Sequence, residues 1–164
     1  MRFLTSILLI FVCKSLCGIG LEFEFKPKAP RAPVQRGPRI VDPFLVGNAK
    51  RPEVEVKPSG LQIEMFDEGY GRLPQQTDLV VINYNGFLPD GTLFDSSYKR
   101  GEPATFPVNS VVPGFGEALM NIRLGGKAKV FIPSHLAYGQ KGSGKAVPPN
   151  STIIFELEVL DIKE

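Results

Sequence analysis

One carboxylate stands among aromatic rings in the stretch Phe94-Asp95-Ser96-Ser97-Tyr98. A carboxylate so placed can serve as a general acid, as a buried hydrogen-bond acceptor, or as a solvated turn residue. Just before it, Pro89-Asp90-Gly91 has the chemistry of a turn, because glycine takes a positive φ without steric cost. The other reactive groups are few. His135 is the sole histidine, and both cysteines, Cys13 and Cys17, lie within residues 1–20. If that segment is removed, zinc ligation and Cys–His pairs are not expected, and neither is any metal or cofactor. A Ser–His–acid triad would need His135, which lies in the turn-like "PSHLAYG", and no serine occupies a nucleophile-elbow pattern. "GQKGSGK" has the wrong lysine spacing for a phosphate loop and reads as a flexible loop.

What remains is aromatic. Tyr84, Phe94, Tyr98, Phe106, Phe115, Tyr138 and Phe155 recur at strand ends and at the start of a helix pattern. Ordinary core packing accounts for any one of them. Tyr84 and Tyr138 differ slightly, since a buried phenol needs a hydrogen-bond partner, and Asp95 could supply one.

The elements that must position these groups are mostly strands. Period-two alternation puts Leu61, Ile63 and Met65 on one side of "LQIEMFDE", and Val80, Ile82 and Tyr84 on one side of "DLVVINYNGF". It turns Ala128, Val130 and Ile132 inward in "KAKVFIP", and Ile153, Phe155, Leu157 and Val159 inward in "TIIFELEVLDI". One wet face predicts an antiparallel sheet. A single helix is predicted after Pro113-Gly114, where Phe115, Ala118, Leu119 and Ile122 form one apolar stripe, with Gly125-Gly126 as its stop. The fold class expected is α+β: a curved antiparallel sheet, a half-barrel, wrapped around one short helix.

The 164-residue chain suits one domain plus an extension, and its net charge of +2 gives no argument for nucleic acid. Residues 1–20 read as a secretory signal: Arg2, the apolar run Phe3–Val12, then Gly18 and Gly20. An uncleaved anchor, with Lys14 untidy in a cleaved signal, and a lipid on Cys17, with bulky Leu16 against it, are the alternatives. Residues 21–57 carry eight Lys and Arg against five Asp and Glu, and residues 58–164 nine against twelve. Pro27, Pro30, Pro33, Pro38, Pro43 and Pro52 make residues 21–57 an extended, poorly ordered basic linker. It reads as a tether, or else as a basic docking strip for a membrane or wall surface. "RIVDPFLVG" is more apolar than its surroundings. The folded domain is expected at 58–164, and the protein in the periplasm or secreted, with membrane contact only through the signal or the linker.

The span from about Gly60 to Glu164 resembles the FKBP-type peptidyl-prolyl cis-trans isomerases, in particular the bacterial exported, macrophage-infectivity-potentiator-like branch. The resemblance is carried by "VVINYNGFLPDGTLFDSSYKRGEPATFPV", "VVPGFGEAL", "IPSHLAYG" and "VPPNSTIIFELEVLDI". It implies the half-barrel fold and rotation of X–Pro bonds in unfolded or partly folded proteins; a non-catalytic chaperone or surface module using the same groove is the alternative. It places Tyr84, Phe94, Phe106, Phe115 and Phe155 around a prolyl site, with Val111 and Val112 as one wall and Val147 closing the rim. Asp95 becomes the polar acceptor beside the amide, with Arg100 near Asp95 and Tyr84, and Tyr138 offers its hydroxyl to a ligand carbonyl. The family's usual Trp floor is Phe115 here. Ala104 and Ala146 replace larger apolar residues, and Ser143 replaces a frequent His. Macrolides such as tacrolimus and rapamycin are therefore expected to bind with weakened affinity. Six prolines stand where some relatives carry a dimerising helix, so a monomer is expected.

Overall fold

A computed structural model describes residues 42–163. The expectations for the signal and for residues 21–41 of the linker lie outside the described residues. Apart from three short 3₁₀ turns, ten elements follow in order among the described residues: α1 (Pro43–Asn48), β1 (Val54–Val56), β2 (Gln62–Asp67), β3 (Leu79–Phe87), β4 (Leu93–Ser96), α2 (Ser97–Arg100), β5 (Ala104–Pro107), α3 (Pro113–Leu119), β6 (Lys127–Ile132) and β7 (Ile153–Lys163). The strands form one antiparallel sheet in the order β1-β2-β6-β7-β3-β4. β5 shares the outer edge of β3 with β4: β5 pairs Leu79–Ile82, and β4 pairs Asn85–Phe87. The outermost strand is thus one strand broken in the middle, and α2 fills the break.

Alternation along β3, β6 and β7 puts Val80, Ile82, Tyr84, Val130, Ile132, Ile153, Phe155 and Leu157 on the concave face, where they pack with Phe115, Ala118 and Leu119 of α3. The expected half-barrel around a short helix is therefore present. α3 starts on Pro113, whose missing N–H costs nothing at a first helical position. Two glycines set how closely it lies. A Cβ on Gly114 would collide with the Ile132 side chain, and one on Gly116 would stand 2.8 Å from the Val108 carbonyl.

α3 ends at Leu119, earlier than the predicted stop at Gly125-Gly126. Ile122 is buried all the same. Turn hydrogen bonds from Asn121 N–H to Ala118 O (3.0 Å) and from Ile122 N–H to Leu119 O (3.2 Å) fold it back onto the core.

Residues 42–57 differ from the poorly ordered linker expected there, and the prediction of a single helix is corrected too, since α1 and α2 join α3. Asp42 caps α1 by accepting from Phe44 N–H (2.9 Å), and it also accepts from Thr152 Oγ (2.5 Å). Phe44 lies against Phe131 with ring centroids 6.0 Å apart. With Leu45 and Phe87 it covers Val54, Phe131 and Ile154, a second small core on the convex face. Asn48 Nδ2 donates to Gln62 Oε1 (2.8 Å), and Gln62 Nε2 donates to Leu45 O (2.9 Å), so both buried amides are satisfied. Beyond α1 the convex face is wet, and facing residues form the ion pairs Lys127–Glu158 (3.0 Å) and Lys129–Glu156 (3.2 Å).

Candidate active site

On the concave side, the end of the sheet near the β4–α2 break opens into a cavity of about 350 Å³. Its lining is Tyr84 from β3, Phe94 and Asp95 from β4, Phe106 from β5, Ser110, Val111 and Val112 from the turn before α3, Phe115 from α3, Tyr138 from the turn after β6, and Phe155 from β7. The rings meet edge to face. Phe115 and Phe155 have centroids 4.7 Å apart, Phe94 and Phe155 5.6 Å, Tyr84 and Phe155 5.8 Å, and Phe106 and Phe115 6.2 Å. Edge-to-face contact places a ring's positive rim on a neighbour's negative face, so the wall is both apolar and stiff.

The glycine in "NYNGF" makes this wall fit together. Gly86 pairs with Asp95 on one side and Phe155 on the other. A Cβ there would stand 2.8 Å from Phe155 Cε1 and 2.8 Å from Phe94 Cζ. The Phe94 and Phe155 rings fold over the space this glycine leaves. An isolated glycine inside a strand pattern signals such an approach, although nothing in the pattern says which residues approach.

The polar corner is a three-residue cluster. The Tyr84 hydroxyl donates to Asp95 Oδ2 (2.5 Å). Arg100 donates from Nη1 to Asp95 Oδ1 (2.6 Å) and from Nη2 to the Tyr84 oxygen (2.8 Å). Its guanidinium carbon lies 5.3 Å from the centre of the Tyr84 ring. Ser96 N–H adds a third contact to the carboxylate, donating to Oδ1 at 2.8 Å. Partial burial pushes the Asp95 carboxyl up, but the bonds from Tyr84, Arg100 and Ser96 outweigh it and hold the group below its ordinary range. Burial first, and the neighbouring carboxylate second, push the Tyr84 phenol up, against the opposing bond from Arg100. Asp95 is therefore an anion and Tyr84 a neutral phenol across the physiological range. The cluster is suited to accepting and orienting, and it holds no mobile proton near neutrality.

The predicted residues divide cleanly. Tyr84, Phe94, Asp95, Phe106, Val111, Val112, Phe115, Tyr138 and Phe155 all line the cavity, and Ser110 joins them unpredicted. Arg100 stands behind the wall and reaches the site through Asp95 and Tyr84. Val147 does not line the cavity. It is 2% exposed within the core, held by a bridge to Ser143. His135 is remote from the cluster, with Nε2 3.2 Å from Ser59 O. No group of His, Cys, Asp and Glu that could hold a metal occurs among the described residues.

Comparison with known proteins agrees with this geometry. Residues 71–160 match the family model of the FKBP-type peptidyl-prolyl cis-trans isomerases. The chain is 50% identical over 119 residues to the FKBP-type 22 kDa peptidyl-prolyl cis-trans isomerase of Escherichia coli K12, covering 73% of this chain and 58% of that one. It is 44% identical over 123 residues to the outer membrane protein MIP of Legionella longbeachae, covering 75% and 53%. The crystal structure of FkpA from Escherichia coli superposes with a TM-score of 0.71 at 45% identity, covering 73% of this chain and 56% of that one. The chain belongs to the FKBP-type peptidyl-prolyl cis-trans isomerase family. It spans about half the length of the curated relatives it matches.

Proposed function

We propose that this chain is an exported peptidyl-prolyl cis-trans isomerase that accelerates rotation about X–Pro bonds in folding proteins. The observation that carries the reading is the convergence of Tyr84, Phe94, Phe106, Phe115 and Phe155 on one concavity beside Asp95. The uncatalysed barrier is about 18–20 kcal/mol, because the amide must lose its resonance. No bond to the protein is needed. A site that binds the twisted amide more tightly than the planar one lowers the barrier. The ring-lined cup grips pyrrolidine by shape. It also keeps water from the carbonyl, whose hydrogen bonds to water favour the planar, polar form. A differential of about 7–8 kcal/mol gives roughly 10⁵- to 10⁶-fold acceleration. Asp95 acts as acceptor and electrostatic partner, Tyr138 and the Val112 N–H hold ligand carbonyls, and Arg100 fixes the carboxylate.

Export is supported by the signal-like residues 1–20 and by similarity to a protein named for the outer membrane. No helix among the described residues is long and apolar enough to cross a membrane. Substrates are unfolded or partly folded proteins that present proline after an apolar residue. Macrolides of the tacrolimus and rapamycin type enter the same cup weakly, since Phe115 fills less of the floor than an indole. The chain acts as a monomer.

A protease-coupled isomerisation assay on a Leu-Pro peptide tests the reading. Asp95→Leu should lower kcat/KM by about one to two decades, as loss of one polar contact does. Wild-type turnover no faster than the uncatalysed rate would instead make the groove a binding site alone.

A further inference from the structure

Tyr84 lies opposite a gap. The β4 pairing covers Asn85–Phe87 and the β5 pairing covers Leu79–Ile82, so along this edge Asn83 and Tyr84 have no strand partner. On the other edge, Tyr84 pairs normally with Leu157. An amide left open inside a wall of rings would be a buried, unsatisfied donor. Ser97, the first residue of α2, closes the gap. Its Oγ accepts from Tyr84 N–H at 2.9 Å, and its own proton lies within reach of Asn83 Oδ1 (3.3 Å) and Tyr84 O (3.4 Å). The side chain is 0% exposed and cannot touch a substrate.

Around it, α2 is pinned at both ends. Ser96 caps it by accepting from Lys99 N–H (3.2 Å) and donates to Asn85 Oδ1 (2.6 Å). Gly101 ends it at φ 78°. The last residue of this single turn is Arg100, which grips Asp95 and the Tyr84 hydroxyl. One end of α2 therefore holds the Tyr84 backbone, and the other end holds its phenol.

Resting on the isomerase reading above, we infer that Ser97 is a positioning residue for the reaction. Its hydroxyl stands in for the missing strand and sets α2 in register with β3. Arg100, Asp95 and the Tyr84 hydroxyl then meet in one geometry. Without that bond α2 can slide along β3, and the guanidinium fork loses its simultaneous hold on carboxylate and phenol.

The test is Ser97→Ala, with Ser97→Cys as a graded second variant because a thiol is a weak acceptor of similar size. Ser97→Ala should lower kcat/KM about tenfold, mostly in kcat, and Ser97→Cys by less. The Asp95 carboxyl, followed by carbon NMR through an acid titration, should move up toward its ordinary range in Ser97→Ala. In a Tyr84→Phe background, Ser97→Ala should lose most of its effect. Thr152→Val is the comparator. It removes the hydroxyl of a buried residue outside the cavity and should lower Tm while leaving kcat/KM and the Asp95 titration as in wild type. If Ser97→Ala lowers Tm like Thr152→Val but leaves turnover and the Asp95 titration unchanged, the serine is structural only and the inference is wrong. If Tyr84→Phe and Asp95→Leu are themselves silent, the isomerase site reading fails instead.

Discussion

Gly86→Ala tests the ring-lined cup at its tightest point. The added methyl would sit 2.8 Å from Phe155 Cε1, 2.8 Å from Phe94 Cζ and 3.0 Å from Phe94 Cε2. Carbon atoms rest about 3.5–4.0 Å apart, so the rings must together retreat by about 1 Å. Overpacking of this kind costs about 1–3 kcal/mol, and replacing a strand glycine returns about 0.5–1 kcal/mol. The net loss of about 1–2 kcal/mol should lower Tm by several degrees. Turnover should suffer more than that loss alone would imply. A displacement near 1 Å at a reacting centre is worth up to about 10²-fold, and shared between two rings it should cost about 10- to 30-fold in kcat/KM. The assay is protease-coupled isomerisation of a Leu-Pro peptide, beside thermal unfolding followed by circular dichroism. Gly47→Ala is the control, because a Cβ at that α1 position meets nothing within 4 Å. A Gly86→Ala protein that melts lower but keeps kcat/KM within twofold of wild type would refute the argument that Phe94 and Phe155 form the catalytic wall.

Three further outcomes are expected. Turnover should be flat between about pH 5 and 9, since Asp95 titrates below its ordinary value and Tyr84 above its own. The stabilisation from the depressed Asp95 group is present above its unfolded value near pH 4 and is lost as pH falls through the lower folded value, so an acid limb appears only there; a midpoint near 6–7 would contradict this. Phe44→Ala should lower stability by about 1–3 kcal/mol through exposure of Phe131 and Ile154, with kcat/KM within twofold of wild type. Removal of residues 1–41 should leave peptide turnover unchanged. The X–Pro bonds there follow Lys26, Ala29, Ala32 and Gly37, which an apolar rim does not favour, and a large rise in activity would reveal self-inhibition.

The sheet was legible because Ala128, Val130, Phe155 and Leu157 alternate with Lys127, Lys129, Glu156 and Glu158, which face the convex side. The same alternation hid α1. Phe131 and Ile154 occupy outward positions, and their apolar character, with that of "RIVDPFLVG", was the sign that something covers the convex face. α2 has four residues, too few for any helical period, and its evidence lies in Ser96 and Gly101 as caps. Ile122 continues the apolar stripe of α3 by way of a turn, which a residue count cannot distinguish from another helical turn. The site was legible through resemblance, and Arg100 and Asp95 meet as it implied. Val147 was misplaced because a bridge to Ser143 draws it inward. Ser97 escaped notice since its bond to Tyr84 depends on where β4 and β5 stop along β3, a register that residue types alone do not display.

α1 also decides how mechanical load would enter the domain. Asp42 is tied to Thr152 beside β7, Phe44 rests on β6, and the end of the helix is bonded to β2. Tension applied at residue 42 would be divided among three strands on the side of the sheet turned away from the ring-lined cavity. A pull on the chain at that point would load the sheet from its convex face and leave the spacing of the rings around the cavity as it is.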